Sequence, residues 1–157
     1  MKYIKIISVI IFAIFAASCN KNRVYEVHLD NFPSFRWDTT NIAEYSPEIA
    51  DKESTYKLFV AFRHVAGFQM KTVKVNLEIT SPAGEKTSKD YILSLFDNQN
   101  NSLSECAGDF CDLETLIEPN FKFTETGKYQ FKIKQLTEIN PLPNVMEVGL
   151  IIDKIEK

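Results

Sequence analysis

Cys19 is the residue whose type and position indicate a specific chemical modification. It follows three small residues, and an uncharged apolar run at 6–17 comes after Lys2 and Lys5. A basic start, a short apolar segment and small residues before a cysteine are typical of a bacterial lipoprotein signal. We therefore expect 1–18 to be removed, the Cys19 thiol to carry a diacylglycerol and the new α-amine to carry a third acyl chain.

The length of the apolar run favours this interpretation over a membrane-spanning helix. The run has twelve residues, whereas a helix that crosses a bilayer needs about 20. The mature chain is thus predicted to lie on a membrane, held by lipid. Ala16 stands where such signals often have leucine, so an ordinary signal peptide with a free Cys19 remains an alternative.

Cys106 and Cys111 are the two cysteines left once Cys19 is assigned to lipid. An even number fits an exported chain in an oxidising compartment, and we predict a disulfide between them. It would close a short loop and contribute about 2 kcal/mol by loop-closure entropy. Two reduced thiols in a loop remain the alternative.

His28 and His64 are the candidates for acid–base catalysis near neutral pH. They lie in separate predicted strands, and the chain has no nucleophile elbow, zinc-protease motif or phosphate-binding glycine loop. We expect surface or hydrogen-bonded histidines, no enzymatic activity, no cofactor and no metal site.

Aromatic residues are concentrated in the N-terminal third, where Phe32, Phe35, Trp37 and Tyr45 occur. Such rings can form a sugar-binding platform or anchor a protein partner, which makes Trp37 a candidate ligand or partner residue. The alternative is that Phe35 and Trp37 face the core, because they alternate with charged residues.

Alternation with a period of two dominates the mature chain. Apolar and polar residues alternate strictly at 73–80 and 128–134, which predicts half-buried strands. Segments rich in β-branched and aromatic residues predict further strands at 25–29, 35–39, 56–65, 90–96 and 148–155. The 56–65 segment is apolar on nearly both faces and is expected to be central.

These strands predict an all-β fold, an antiparallel β-sandwich of about seven or eight strands. One short helix is expected at 113–117, with Asp112 as its N-cap and Pro119 beyond its end. Residues 40–54 and 97–104 are predicted to be loops.

Residues 25–157 are expected to form a single domain behind a lipidated tether at 19–24, because a mature chain of 139 residues is close to the usual domain size. Without Lys2 and Lys5 it carries 16 basic and 21 acidic residues, a formal charge of −5. We therefore expect no nucleic-acid partner.

The second half of the chain carries short motifs in a fixed order that resemble the gliding-motility lipoprotein GldH family of the Bacteroidota type. The resemblance rests on 90–96, Gly108, Asp109, Asp112, Phe123, Gly127, Tyr129, Phe131, Gln135 and 148–150, and upstream on Tyr56, Leu58, Phe59 and Arg63. It covers most of the mature chain. Two departures are Leu136-Thr137-Glu138 after Gln135 and the segment 102–106 ahead of Gly108.

The resemblance implies a non-catalytic envelope lipoprotein that works with gliding machinery and its linked secretion system, with other envelope proteins as partners. Asp109 and Asp112 join Trp37 as candidate residues of a ligand or partner surface. We expect anchorage in the outer membrane facing the periplasm, because residues 20–23 lack the acidic run that directs export to the cell exterior. The alternatives are a glycan- or ligand-binding outer-membrane lipoprotein and an enzyme or enzyme inhibitor.

Overall fold

Thirteen strands, all paired antiparallel, build the fold in the computed structural model, which describes residues 22–156. In chain order they are β1 (Arg23–Leu29), β2 (Arg36–Trp37), β3 (Ala43–Tyr45), β4 (Glu48–Ile49), β5 (Tyr56–Val65), β6 (Thr72–Thr80), β7 (Lys86–Ser94), β8 (Glu105–Ala107), β9 (Phe110–Phe121), β10 (Gly127–Lys128), β11 (Gln130–Gln135), β12 (Leu142–Pro143) and β13 (Val145–Lys154).

Two larger sheets contain nine of these strands. The first has five strands in the order β1-β13-β5-β9-β8, and the second has four in the order β3-β11-β6-β7. Two small pairs, β10-β4 and β12-β2, complete the pairing among the described residues. Neighbours in the sheets are often distant in sequence, as for β1 with β13.

The strict alternation predicted at 73–80 is confirmed in β6. Its odd-numbered positions Val73, Val75 and Leu77 are buried, whereas the residues between them are exposed or half-buried. β5 occupies 56–65 as predicted and lies between β13 and β9. Strands with apolar residues on both faces need such a central place, because an edge would expose one face to water.

One hydrophobic core takes its residues from both larger sheets, so the two sheets share one apolar interior. A buried hydrogen bond also joins the sheets, from the Tyr45 hydroxyl of β3 to the carbonyl oxygen of Val148 in β13, at 2.7 Å. Burial raises the pKa of the Tyr45 phenol, so this hydroxyl stays protonated and donates.

The predicted helix at 113–117 is wrong, because these residues continue strand β9. They pair with the central strand, Leu113 opposite Phe62, and Leu113 is only 5% exposed. Pairing with β5 therefore outweighs the local capping signal of Asp112. Pro119 falls where the β5–β9 register shifts, and a bulge tolerates a residue without an N–H group.

Helical structure in residues 22–156 is limited to a 3-10 turn at Pro33–Phe35, and none of it is long and apolar enough to cross a membrane. This turn and the two-residue strand β2 replace most of the predicted strand at 35–39. The predicted loop at 40–54 contains β3 and β4. Such short pairs raise the strand number above the predicted seven or eight.

We expect Tyr45→Phe to destabilise the protein by about 1–2 kcal/mol, because the buried hydrogen bond from Tyr45 to the Val148 carbonyl would be lost. Tyr25→Phe is the matched control, since the Tyr25 hydroxyl accepts a longer, exposed bond of 3.3 Å from the Ser46 amide. Urea unfolding of the detergent-solubilised protein measures both changes. An equal loss in the two variants would contradict a special role for the Tyr45 bond.

Candidate functional site

The outer face of the five-stranded sheet, which points away from the core, carries a connected set of charged side chains. The antiparallel register brings them together on one side, because residues paired across neighbouring strands share a face. We call this surface the charged face; it consists of Arg23, Glu26, His28, Arg63, Asp112, Glu114, Glu147 and Asp153.

Arg23 joins three strands through one guanidinium group. Its Nε donates to Asp153 Oδ1 at 3.1 Å, its Nη1 to Glu26 Oε2 at 3.1 Å and its Nη2 to Glu114 Oε2 at 3.3 Å. Glu114 lies on β9, so the Arg23 side chain reaches across β13 and β5. The hydrogen bond to Asp153 is the main cause that raises the pKa of Arg23. The guanidinium therefore remains charged and fixes the first strand on the sheet.

Arg63 forms the second centre of the charged face. Its Nε and Nη2 donate to the two Asp112 carboxylate oxygens at 2.6 and 3.0 Å, and its Nη1 donates to Glu147 Oε1 at 2.7 Å. The guanidinium carbon also lies 4.8 Å from the centroid of the Phe110 ring. The bond to Asp112 is the main cause that raises the pKa of Arg63. A bidentate pair of this kind is specific in geometry as well as attractive.

His28 connects the two arginine centres. Its Nε2 lies 3.1 Å from Glu26 Oε1, and its Nδ1 lies 3.9 Å from Glu147 Oε2. The hydrogen bond with His28, followed by that from Arg23, lowers the pKa of Glu26. The imidazole lies on Gly149: a Cβ at that position would be 2.7 Å from His28 Nδ1. Glycine at 149 therefore leaves the space that the imidazole occupies.

Apolar side chains lie beneath these charges. Ile151 is 0% exposed and Ala61 is 5% exposed, although both belong to the outer face rather than the main core. The charged face thus covers a small apolar layer with the stems of its long side chains. Leu116, at 45% exposure, extends this layer to the surface.

Carboxylates are in excess on the charged face. Five carboxylates meet two guanidinium groups, an excess of three negative charges when His28 is neutral. Next to them lies a depression of about 370 Å³ lined by Leu103, Glu105, Asp112 and Glu114. This surface is suited to a cationic side chain of a partner, because carboxylates accept hydrogen bonds from lysine and arginine.

The predicted site residues are only partly brought together. Cys19 lies outside the described residues. Asp112 belongs to the charged face, whereas Asp109 lies in the tight turn between β8 and β9, where its carbonyl accepts a bond from the Ala66 amide at 2.9 Å. Cys106 and Cys111 stand opposite each other in that hairpin and form a disulfide, which positions the start of β9 and hence Asp112.

The structure corrects the prediction that Trp37 belongs to a ligand or partner surface. Its side chain is 0% exposed, its Nε1 donates to the Asn41 carbonyl at 2.8 Å and its ring packs 5.5 Å from that of Phe32. A buried indole cannot stack on a sugar or anchor a partner. The alternative derived from alternation, that Trp37 faces the core, is therefore correct.

The two histidines have structural partners. His64 is 5% exposed, and its ring nitrogens lie 3.0 Å from the Val65 carbonyl oxygen and 3.0 Å from Ser104 Oγ. His28 is part of the charged face. Among residues 22–156, no group of three or more His, Cys, Asp or Glu side chains could hold a metal ion.

Most of the charged face was missed by sequence reasoning. Arg23, Glu26, Glu114, Glu147 and Asp153 are ordinary surface charges in the sequence. Their signal was weak: Arg23, Glu26, Glu147 and Asp153 lie in or near predicted strands at polar positions, and Glu114 lies in the segment predicted to be a helix. Which strands are neighbours could not be deduced from that pattern.

We expect Gly149→Ala to destabilise the protein by about 1–3 kcal/mol, because the new methyl group would overlap His28 Nδ1 and lie 2.9 Å from the Ala61 Cβ. Urea unfolding measures the loss. In a His28→Ala background the imidazole ring is absent, so Gly149→Ala should reduce the free energy of unfolding by a smaller amount. An equal cost in both backgrounds would show that the imidazole does not lie on Gly149.

The lowered pKa of Glu26 predicts an acid dependence of stability. In the unfolded chain this group binds a proton at about pH 4.3, its ordinary pKa, and in the folded protein only at lower pH. Its contribution is therefore present above that pH and is lost as the pH falls through the folded pKa. Glu26→Gln should make the loss of stability in acid less steep in urea unfolding, and Glu44→Gln on the other sheet is the control. If the stability of Glu26→Gln falls with decreasing pH as steeply as that of the wild type, the lowered pKa of Glu26 is contradicted.

None of the curated proteins matches the chain. Among solved structures, TmCBM61 in complex with β-1,4-galactotriose aligns at 14% identity and a TM-score of 0.35, over 84% of this chain and 82% of its own. The enzymatically active domain of tailspike protein 4 of bacteriophage CBA120 aligns at 10% identity and a TM-score of 0.31, over 84% of this chain and 18% of its own. TM-scores of this size establish no shared fold.

The sequence model of one family, described as GldH lipoprotein, matches residues 23–152. The match includes β1, β5, β9 and most of β13, and it confirms the resemblance derived from the sequence motifs. A lipoprotein family supports a membrane-anchored protein of the cell envelope in the context of gliding motility. The chain therefore belongs to the GldH lipoprotein family.

Proposed function

We propose that this protein is a non-catalytic assembly component of the gliding-motility and associated secretion machinery, and that it binds a basic segment of an envelope partner through the charged face. Lipid on Cys19 anchors it in the outer membrane, facing the periplasm. Family membership supports the context, and the basic start, apolar run and small residues before Cys19 support the anchor.

The observation that carries the proposal is the paired state of both arginines. Arg23 and Arg63 are each held by carboxylates of two or three strands. The side chains of the face are thereby fixed before a partner arrives, which reduces the entropy lost on binding.

Two carboxylates of the charged face are exposed to solvent. The side chains of Asp112 and Glu114 are 46% and 47% exposed, beside the acidic depression and the exposed Leu116. Because the five carboxylates of the charged face outnumber its two guanidinium groups, an apolar contact beside them fits a partner segment with an apolar residue between lysines or arginines.

Anchoring makes a weak contact of this kind sufficient. A protein confined to a membrane meets other components of the same membrane at a high effective concentration. An interface with modest affinity in solution is then occupied in the cell. Charge complementarity adds speed of association and selectivity more than affinity.

Both histidine environments support a structural rather than a catalytic role. His64 is buried and hydrogen-bonded on both ring nitrogens, and His28 lies between Glu26 and Glu147 in the charged face. In each case the ring has a partner that explains its position. A general base would instead need to reach a substrate proton directly or through one water molecule.

Photo-crosslinking in intact cells tests the proposal. A photoreactive amino acid at Leu116, on the charged face, should capture envelope proteins of the gliding or secretion machinery, identified by mass spectrometry. The matched control is Ile92, which is 62% exposed on the four-stranded sheet and should capture much less of them. Glu114→Lys should reduce capture at Leu116 several-fold, whereas Glu44→Lys should not.

Two results would overturn the proposal. One is capture of the same proteins with equal yield from Leu116 and Ile92, which would make the charged face irrelevant. The other is capture at Leu116 that ignores the reversal of charge at Glu114, which would exclude a basic partner segment.

A further inference from the structure

One end of the molecule gathers the segments around Asn22, which follows the predicted lipidation site Cys19 by three positions. β1 begins at Arg23, and the Asn22 carbonyl accepts a bond from the Lys154 amide at 2.7 Å. At this same end the Lys154 side chain meets Asp51 at 2.7 Å. We call this surface the proximal end; it consists of Asn22 and residues 50–55, 81–84, 122–126 and 155–156.

Contacts between the two sheets show that these segments form one surface. The Ala83 amide donates to Glu125 Oε1 at 3.1 Å. Phe123 has its ring centroid 5.0 Å from that of Tyr56 and 4.8 Å from that of Tyr129, so it links the start of the central strand with the other sheet. The proximal end is therefore a continuous end of the molecule.

We propose that the proximal end rests on the lipid surface and that the strands stand upright on the membrane, with the charged face turned sideways. This inference rests on the anchoring of Cys19 in the proposed function. Three residues lead from Cys19 to Asn22, and a chain of this length spans at most about 10 Å. The start of β1 is thus held next to the headgroups.

A second observation at the proximal end favours contact with lipid. A depression of about 200 Å³ opens there, lined by the half-buried Phe121, the exposed Lys122 and the buried Ile79, Phe123 and Tyr129, together with Ser81, Glu85, Thr87 and Thr124. A partly exposed ring beside a lysine suits the membrane interface, where the ring meets apolar chains and the ammonium group meets anionic headgroups. The depression lies at the end of the molecule where β1 begins.

Charge disfavours the alternative in which the molecule lies on the charged face. That face carries three negative charges in excess. The proximal end with the adjoining Lys154 carries an excess of one, from Asp51, Glu53, Glu125 and Glu156 against Lys52, Lys122 and Lys154. Anionic lipids repel carboxylates within a Debye length, so they repel the charged face more strongly. In the upright orientation the carboxylates instead face neighbours along the membrane plane. The far end of the ten-residue strand β5 is then about 30 Å above the proximal end.

Quenching of site-specific labels by lipid tests this orientation. The lipidated protein is reconstituted in vesicles of phosphatidylethanolamine and phosphatidylglycerol that contain a headgroup spin label. A fluorophore is attached to single new cysteines, with the Cys106–Cys111 disulfide kept oxidised: Ala83→Cys at the proximal end, Asn100→Cys at the far end, and Leu116→Cys and Ile92→Cys on the two lateral faces.

We expect the label at 83 to be quenched several-fold more than the label at 100, and both lateral labels to be quenched less than the one at 83. Quenching at 116 or 92 as strong as at 83 would show that the molecule lies on that face and would overturn the proposal. Equal quenching at all positions would show free tumbling and would overturn it as well.

Cys19→Ser distinguishes a failure of orientation from a failure of anchoring. This variant should appear in the soluble fraction and lose quenching at every labelled position. If it remains bound to membranes, the lipid anchor is wrong, and the orientation loses its basis together with that part of the proposed function. If it is released but the wild type shows no preference for position 83, the orientation alone is wrong.

Discussion

Strand β5 needs both of its faces kept away from water, and much of the structure follows from this requirement. Its inner face packs Leu58, Val60 and Phe62 into the core shared with the second sheet. On its outer face Ala61 is buried as well, opposite Gly149 of β13, and the buried Ile151 of β13 lies on the same face, opposite Phe59. The inner side has a whole sheet as its cover, whereas the outer side is covered only by long side chains.

On the outer side of β5, the arginine and carboxylate side chains of the charged face provide this cover, and no third layer of secondary structure is needed. Stems of long side chains cover apolar atoms, and their charged heads stay in contact with water and with each other. Exposed ion pairs contribute little stability one by one, but a network in which each guanidinium holds several carboxylates restricts the side chains collectively. The same groups that shield Ala61 and Ile151 therefore give the protein a surface of defined shape and charge.

Sequence reasoning succeeded where local alternation was strict and failed where distant strands decide the structure. The segments 56–65 and 73–80 are strands because the burial of alternate side chains is a local property. The segment 113–117 has a local helix signal, yet its pairing with β5 depends on residues about fifty positions earlier. Arg23 and Glu114 are 91 positions apart, and their contact requires the strand order of the sheet, which alternation does not determine.

The pairing of β1 with β13 also determines how the molecule responds to mechanical load. β1 begins beside the tether and runs along β13 over its whole length, and the hydrogen bonds between antiparallel strands are perpendicular to the strands. A pull on the tether that is resisted at the opposite end acts along the strands, so these bonds share the load in shear. A pull at right angles to the strands would break these hydrogen bonds one after another, at a much smaller force.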